Sequence, residues 1–114
     1  MNTLELDHEL NTMIIERKSR DAFLKFYAED VVAQENDEPE RIGRDAWMRG
    51  RLEMERNIKK FAARVLAHAA NGDTSFSEWE YQIELEGMGA INIAQVAVRR
   101  WKDGRVVRER FYHK

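Results

Sequence analysis

The spacing of hydrophobic positions changes about halfway along the chain, near residue 58. Before that point apolar residues recur every three or four positions, as in amphipathic helices, and after it they alternate with polar residues, as in strands. The first helical stripe consists of Leu6, Leu10, Met13 and Ile14. It predicts a helix over residues 3–17, with Asn2 and Glu5 spaced as a capping box.

Two further helices are predicted in the first half of the chain. Ser19 can cap a second helix, which carries aromatic residues on one face and should end near Glu29. A short strand beginning at Val31 and a polar loop with the only proline come next. The third helix begins after Gly43 and carries Trp47 on its apolar side.

Three turn signals divide the second half into four long strands. They are Asn71-Gly72-Asp73, Glu86-Gly87-Met88-Gly89 and Asp103-Gly104. We therefore predict a four-strand meander from Ile58 onward. The predicted fold class is α+β, with three N-terminal helices covering a cone-shaped, curved antiparallel sheet.

The turns also predict a register for this sheet, if the Asp-Gly turn and a similar turn at Gly87-Met88 each have two residues. The predicted pairs are Lys102 with Arg105, Val98 with Glu109, Val96 with Phe111, Trp79 with Val96 and Tyr81 with Ala94. The face that the helices would cover then carries Trp79, Tyr81, Ile83, Leu85, Ala94, Val96, Val98, Val107 and Phe111. Glu109 and Arg100 are predicted on the same inner face.

The outer face of the sheet is predicted to combine acidic and basic strands. Residues 73–86 include five acids and no base, whereas residues 99–114 include seven bases and two acids. Gln95, Ala97 and Arg99 are also placed on this face. Opposite charges facing each other across strands contribute about 0.2–1 kcal/mol a pair. Such pairs explain the uneven distribution of charge without a role in nucleic-acid binding. A polar dimer surface is the alternative explanation.

Composition agrees with one globular domain over residues 1–114. The chain is 43% hydrophobic and 35% charged, and it has no cysteine for a disulfide, a thiolate nucleophile or a thiolate metal site. Its net charge of −2 gives no general attraction to nucleic acid or an anionic membrane. No stretch has the apolar run of a signal peptide or a membrane span, so we expect a cytoplasmic location.

The order of elements resembles the SnoaL-like and ketosteroid isomerase-like branch of the nuclear transport factor 2 like superfamily, a cystatin-like architecture. The segments that carry the resemblance are Phe26-Tyr27-Ala28-Glu29-Asp30-Val31-Val32, Gly43-Arg44-Asp45-Ala46, Trp101-Lys102-Asp103-Gly104-Arg105-Val106-Val107 and Arg110-Phe111-Tyr112. The resemblance covers nearly the whole chain. It implies a conical α+β barrel with a pocket between sheet and helices, usually in a homodimer packed through the outer sheet face.

The same resemblance implies a catalytic carboxylate. Steroid isomerase-like members place a base just after the first short strand, and Glu35 stands at that position here. A carboxylate at the mouth of an apolar pocket can be tuned to move a proton. The alternative is that Glu35 belongs to a solvated acidic loop, since acids in polar loops are usually exposed.

The resemblance supplies only part of an isomerase site. The family pattern uses a tyrosine in the first helix and a protonated acid on a late strand to stabilise an enolate oxygen. The matching positions hold Asn11, an amide donor, and Ala97 or Val98, which cannot donate. Steroid-type isomerisation is therefore not expected unless Glu109 takes over the acid's role. The alternative for Glu109 is a structural role, either in an ion pair with Arg100 or at the rim of a dimer.

Histidine adds one further candidate. His8, His68 and His113 have no metal-binding spacing, so neither a metal nor another cofactor is predicted. His68 is a candidate general base, although a satisfied or exposed strand histidine is the simpler interpretation. His113 shares the parity of Phe111, but the chain end there can fray.

The sequence leaves three kinds of function open. The first is a protein with a pocket for an apolar or partly polar small molecule, lined by Asn11, Trp47, Trp79, Tyr81, Val96, Val98, Arg100 and Phe111. The aromatic members serve equally well as core. The second is an enzyme of isomerase or cyclase type in which Glu35 acts as general base, with Glu109 and His68 as further candidates. The third is a noncatalytic homodimeric scaffold or accessory protein-interaction module, because fold alone does not decide function.

Overall fold

The computed structural model describes all 114 residues, and it contains three helices and six strands. The helices are α1 (Thr3–Ile15), α2 (Ser19–Phe26) and α3 (Arg44–Glu55). The strands are β1 (Tyr27–Glu35), β2 (Arg41–Ile42), β3 (Ile58–Asn71), β4 (Thr74–Leu85), β5 (Gly89–Lys102) and β6 (Arg105–His113). The predicted capping box at the start of α1 is present, since Glu5 N donates to Asn2 Oδ1 at 2.9 Å and Asn2 N donates to Glu5 Oε1 at 3.3 Å.

The strands form one curved, unclosed sheet in the order β2-β1-β6-β5-β4-β3. The meander from β3 to β6 is antiparallel, as predicted, but β1 runs parallel to β6 and makes the sheet mixed. The predicted α+β fold is confirmed. The helices lie against one face of the sheet, where α1 contacts β3 and β4 and α3 contacts β1.

The predicted register was wrong along β5, for two local reasons. Lys102 does pair with Arg105, but Trp101 pairs with Val106 and Arg100 pairs with Arg108, which leaves Val107 as an extra residue in a bulge. The turn before β5 is also longer than predicted. Leu85 pairs with Gly89, so the loop has three residues rather than two. Each difference shifts the pairing by one residue and reverses the predicted inside and outside.

Because of this shift, β5 presents the opposite set of side chains to the helices. Ala97, Arg99 and Trp101 are buried on the inner face, where Arg99 pairs with Glu109 and Ala97 with Phe111. Correspondingly, Trp79 pairs with Gln95 and Tyr81 with Ile93. The residues predicted inside but found on the outer face are Ala94, Val96, Val98 and Arg100.

The charges of the sheet are also paired differently from the prediction. The acids of β4 face the bases of β3, with Arg64 Nε 3.0 Å from Glu80 Oε1 and Lys60 Nζ 3.9 Å from Glu84 Oε2. The bases of β6 face the acidic loop after β1, where Arg110 Nη2 lies 2.9 Å from Asp37 Oδ1. Local pairs between neighbouring strands and a loop therefore account for much of the asymmetry.

The hydrophobic core lies between the inner sheet face and the helices. Its buried members are Leu10, Ile14, Ala22, Phe23, Phe26, Tyr27, Val31, Ala33, Trp47, Met48, Trp79, Ala97, Trp101, Val106 and Phe111. Burial of each large apolar side chain contributes about 1.5–3 kcal/mol, which makes this cluster the main source of stability. None of the helices has the length and the apolar run needed to cross a membrane.

Candidate functional site

A cavity of about 400 Å³ lies between the inner face of the sheet, α1 and α3. This volume is in the range of small-molecule sites, which are usually about 300–1,000 Å³. Half of the lining residues are hydrophobic, namely Ile14, Trp47, Met54, Ile58, Phe61, Tyr81, Ile83, Ile93 and Phe111. The cavity therefore offers a mainly apolar wall to which a few polar groups are added.

Helix α3 presents one face to this cavity. Trp47, Gly50, Arg51 and Met54 line it, and their spacing of three and four residues places them on one side of the helix. The Trp47 ring stacks on Phe111 of β6, with ring centroids 6.2 Å apart. Gly50 adds no side chain at this face, which leaves space beside Trp47. The helix thus supplies one aromatic wall and one guanidinium to the same cavity.

Three partly buried polar side chains, Arg51, Tyr81 and Gln95, converge on the cavity. The Gln95 side chain hydrogen-bonds to the Tyr81 hydroxyl, whereas Arg51 has no hydrogen-bond or ion-pair partner in the protein. No buried side-chain nitrogen or oxygen in the structure lacks a partner, so the unpaired polar atoms of these residues are those that solvent can reach. Polar groups that converge on an apolar cavity in this way are the usual determinants of ligand orientation.

Burial raises the pKa of Tyr81, and the guanidinium groups of Arg51 and Arg99 partly oppose that shift. Desolvation disfavours the phenolate, because the charged form loses more hydration than the neutral form. The Tyr81 hydroxyl therefore stays protonated at neutral pH. It is available as a hydrogen-bond donor to a ligand.

Glu35 and His113 meet at the rim of the cavity. Glu35 ends β1 and pairs with Phe111 of the parallel strand β6, whose last residue is His113. Glu35 Oε2 lies 3.8 Å from His113 Nε2, and both residues line the cavity. The chain end is held in place, since His113 N donates to Asn36 Oδ1 at 2.9 Å. The fold therefore brings together a carboxylate and an imidazole that the sequence analysis had considered as separate candidates.

A sealed polar network lies beneath the cavity, around Arg99. Its guanidinium bridges two carboxylates, with Nη1 2.8 Å from Asp7 Oδ1 and Nε 2.7 Å from Glu109 Oε2. Nη1 also donates to Asn11 Oδ1 at 2.6 Å, and Asn11 Nδ2 donates to Asp7 Oδ2 at 3.1 Å. Asp7 and Glu109 are 0% exposed and Arg99 is 1% exposed. These ions are stabilised by one another and not by water.

Both oxygens of Glu109 are used within this network. Trp47 Nε1 donates to Glu109 Oε1 at 3.2 Å, and the Tyr27 hydroxyl donates to Oε2. Burial raises the pKa of Tyr27 well above its ordinary value, and the adjacent Glu109 carboxylate raises it further. Burial alone would lower the pKa of Arg99, but Tyr27, Glu109 and Asp7 outweigh it and raise that pKa. The network orients Trp47 but does not open into the cavity.

The structure separates the residues predicted from sequence into four places. Glu35, Trp47, Tyr81 and Phe111 line the cavity. Asn11, Trp79 and Glu109 are buried outside its lining, and Trp79 stacks on Tyr81 at 5.2 Å. Val96, Val98 and Arg100 lie on the outer face as a result of the register shift.

His68 is in the fourth place, away from the cavity, the core and the outer sheet face. It lies in a separate shallow groove between α1 and β3, with its ring 5.9 Å from that of His8. No three His, Asp or Glu side chains are grouped so that they could hold a metal ion.

Several lining residues were not proposed from the sequence. Arg51 stands one helical turn after Trp47, so the helical periodicity could have identified it. Gln95 was placed on the outer face only because of the register error. Arg17 lies in the connection between α1 and α2, and Arg41 lies in the two-residue strand β2, and both segments are too short for periodicity to indicate the direction of a side chain. They reach the cavity through packing of the whole fold.

Comparison with known proteins places the chain in a family. The model of the SnoaL-like domain matches residues 9–109, and the chain therefore belongs to this family, within the nuclear transport factor 2 like superfamily. No curated protein sequence matches the chain.

Solved structures of similar fold cover nearly the whole chain. A protein named as a SnoaL-like polyketide cyclase from Mesorhizobium loti is 19% identical, with a TM-score of 0.82 over 98% of this chain and 99% of that one. A protein of unknown function from Burkholderia pseudomallei is 14% identical, with a TM-score of 0.85 over 100% and 92%. An LEH-like epoxide hydrolase from M. tuberculosis is 14% identical, with a TM-score of 0.83 over 98% and 82%. At these identities the similarity shows the fold.

Proposed function

We propose that this protein binds a small, partly apolar molecule in the cavity and moves a proton on it, in chemistry of the isomerase or cyclase type. The observation that carries the proposal is the convergence of three polar side chains, Arg51, Tyr81 and Gln95, on a mainly apolar cavity of about 400 Å³. A filled core would not leave the Arg51 guanidinium without a partner, because buried polar groups are nearly always hydrogen-bonded. A cyclase and an epoxide hydrolase among the structurally similar proteins agree with an enzymatic use of the cavity.

Glu35 is the proposed general base. Its carboxylate reaches the cavity at the rim, and His113 lies 3.8 Å away. The imidazole can help to hold the Glu35 carboxylate in place, or it can itself accept a proton from a bound substrate. In either case the group that removes the proton must lie within hydrogen-bond distance of it. Proton abstraction beside a carbonyl places negative charge on oxygen. The Tyr81 hydroxyl and the Gln95 amide are the donors that would stabilise this charge.

Glu109 has no part in this proposed proton transfer. Its two oxygens are occupied by Trp47, Tyr27 and Arg99, and its exposure is 0%. A general base must reach the proton it removes, either directly or through one water. Its proposed role is to position the indole of Trp47 in the cavity wall.

The experiment that tests this function has two steps. A library of small ketones, lactones and acids is first screened for compounds that raise the Tm of the protein. Compounds that bind are then incubated in D₂O, and exchange of their acidic C–H hydrogens is followed by NMR. We expect Glu35→Gln to keep binding and to slow exchange by about 10²–10⁴-fold, the usual contribution of a general base.

The matched control is Glu38→Gln, which removes an exposed carboxylate from the adjacent turn without touching the cavity. It should exchange at the wild-type rate. Wild-type exchange by Glu35→Gln would contradict the assignment of the base, and failure of every library member to bind would contradict the pocket function.

We also propose that a second copy of the chain covers the outer sheet face. Phe76, Val96 and Tyr112 are 39%, 37% and 44% exposed on that face, with no helix over them. Exposed apolar groups on neighbouring strands mark an interaction surface when they are contiguous. A noncatalytic homodimeric scaffold, the second candidate function, would use the same face but would not require the cavity.

A further inference from the structure

The cavity carries more positive charge than its own carboxylates neutralise. Arg17, Arg41 and Arg51 line it together with Glu35 and Glu55. Glu55 accepts a hydrogen bond from Ser19 Oγ at 2.7 Å, and Glu35 faces His113. No carboxylate lies within 4.0 Å of any of the three guanidinium groups. Five other arginines do form ion pairs, namely Arg44, Arg64, Arg99, Arg108 and Arg110.

Each of these three arginines lies over an aromatic ring of the site. The guanidinium carbons of Arg17, Arg41 and Arg51 are 5.4, 5.6 and 5.9 Å from the ring centroids of Phe61, Trp47 and Phe111, respectively. Contact with a ring face stabilises the cation and holds the side chain in one place. It does not use the N–H groups, which are directed outward along the edges of the guanidinium plane. Arg17 Nη2 donates to the Glu55 backbone carbonyl at 3.4 Å, whereas Arg41 and Arg51 make no hydrogen bond within the protein.

Arg51 is the member of this group that lies deepest in the site. It is partly buried, whereas Arg17 and Arg41 are exposed, and its charge acts on the Tyr81 hydroxyl. It makes neither a hydrogen bond nor an ion pair within the protein. A cation that is partly removed from water without a counter-charge is unfavourable. Binding of an anion beside Arg51 would supply that counter-charge.

We propose that the ligand enters this cavity as an organic carboxylate, with its anionic group held by Arg51 and its apolar body against Trp47, Phe61 and Phe111. This inference rests on the proposed small-molecule function and adds the chemical class of the ligand. A carboxylate matches the fork of N–H donors of a guanidinium in a bidentate arrangement. One net positive charge, from three arginines and two glutamates with His113 neutral, suits a single negative charge on the ligand.

The position of Arg51 also relates the anion to the proposed base. Its guanidinium lies over Phe111, and Phe111 is the register partner of Glu35 in the neighbouring strand. A carboxylate bound to Arg51 would therefore place the carbons next to it on the side of the cavity where Glu35 lies. The ligand class that follows is a small acid with an acidic C–H near its carboxyl group.

The test uses four probes of nearly the same apolar body: 2-naphthoate, 2-naphthamide, 2-naphthyl phosphate and 2-methylnaphthalene. Their affinities are measured by quenching of tryptophan fluorescence, because Trp47 lines the cavity. We expect wild-type protein to prefer 2-naphthoate to the neutral amide by roughly tenfold or more, the usual effect of a charged hydrogen bond. Arg51→Gln should lose that preference and bind the amide as the wild type does.

Arg49→Gln is the matched control, since Arg49 is exposed on the same helix and does not line the cavity. It should keep the preference for 2-naphthoate. Equal binding of acid and amide by the wild type, or an unchanged preference in Arg51→Gln, would overturn the carboxylate inference and leave the pocket function standing. A preference for 2-naphthyl phosphate would assign the anion to phosphate esters instead. If no probe of any charge binds, both the inference and the proposed function fail.

Discussion

Arg99 shows how one side chain can determine the interior of this protein. It bridges two carboxylates that come from opposite ends of the chain, Asp7 in α1 and Glu109 in β6. Burying these three charges separately would be very costly, so each depends on the others. The network fixes the position of α1 on the sheet and, through Glu109, the indole of Trp47.

Replacing Arg99 should therefore destabilise the fold strongly. Arg99→Met leaves two buried carboxylates without a counter-charge, and we expect it to lower the free energy of unfolding by about 3–5 kcal/mol. Urea unfolding followed by far-UV circular dichroism measures the change. Arg100→Met is the control, because Arg100 is exposed on the outer face, and it should change stability by no more than about 0.5 kcal/mol. Equal losses in the two variants would show that the bridge is not stabilising.

Tyr27 should make stability depend on alkaline pH. Its pKa is raised in the folded state, chiefly by burial and then by Glu109. Above pH of about 10 the unfolded chain loses this phenolic proton while the folded protein keeps it, so the free energy of unfolding falls as pH rises. Below the unfolded-state pKa the contribution is fully present. The slope should approach about 1.4 kcal/mol per pH unit for each such tyrosine.

The variant Tyr27→Phe tests whether this one phenol causes the pH dependence of the free energy of unfolding. Although the variant is less stable at neutral pH, its free energy of unfolding should decrease less steeply between pH 10 and 11 than that of the wild type. Urea titrations at each pH give the slope. Tyr112→Phe, which removes an exposed phenol from the outer face, is the matched control. An identical slope in wild type and Tyr27→Phe would contradict the prediction.

At the scale of elements, local sequence signals predicted the helices well but the sheet register poorly. The capping box of Asn2 gave the start of α1, because this signal acts over a few residues. Ser19 does not cap α2 as predicted: it is the first residue of the helix, the N-cap is Lys18, and the Ser19 hydroxyl donates to Glu55 Oε2. The bulge at Val107 has no comparable local signal. It moves Arg99 from the outer face to the inner one, so a single unrecognised residue concealed the whole buried network.

The residues that line the cavity could be predicted only in part, because several of them depend on the register of the sheet. Glu35 was proposed from the family resemblance, whereas Tyr81 and Phe111 were predicted from alternation along strands that were assigned to the correct face. Gln95 was not predicted to line the cavity, because the wrong register placed it on the outer face. The short strand β2 and the parallel pairing of β1 with β6 depend on contacts between distant segments, which no local pattern specifies.

Two glycines on either side of the start of α3 should respond in opposite ways to alanine. Gly43 precedes the helix with φ of 110°, a conformation that costs an L-residue about 1–2 kcal/mol, so Gly43→Ala should be destabilising by that amount. Gly50 lies within the helix, and an added Cβ would meet only Arg41 Nη1, at 4.0 Å. Gly50→Ala should stabilise by about 0.5–1 kcal/mol.

Thermal unfolding of the two variants checks this prediction, with each serving as the control for the other. A loss of stability in Gly50→Ala would mean that the cavity wall cannot accommodate a methyl group. No loss in Gly43→Ala would mean that the entry to α3 can adopt another backbone conformation. Either result would change how α3 is thought to position Trp47 and Arg51 over the sheet.

At the scale of the whole molecule, the outer sheet face is suited to a two-fold contact with a second copy. Its apolar residues Phe76, Val96 and Tyr112 lie on the three strands β4, β5 and β6. The acids of β4 lie to one side of them and the bases of β6 to the other. In an isologous dimer the same patch meets itself, so a two-fold axis over β5 can place acidic β4 near basic β6 of the partner.

Val96→Glu should therefore weaken self-association without affecting the fold. We expect the wild type at micromolar concentration to have twice the 13.5 kDa chain mass by light scattering after size exclusion, and Val96→Glu to approach 13.5 kDa. Ile42→Glu is the control, because Ile42 is 73% exposed but lies on the edge strand β2, and it should remain dimeric. Circular dichroism establishes that both variants are folded. A monomeric wild type would exclude the dimer, and a dimeric Val96→Glu would place its interface on another surface.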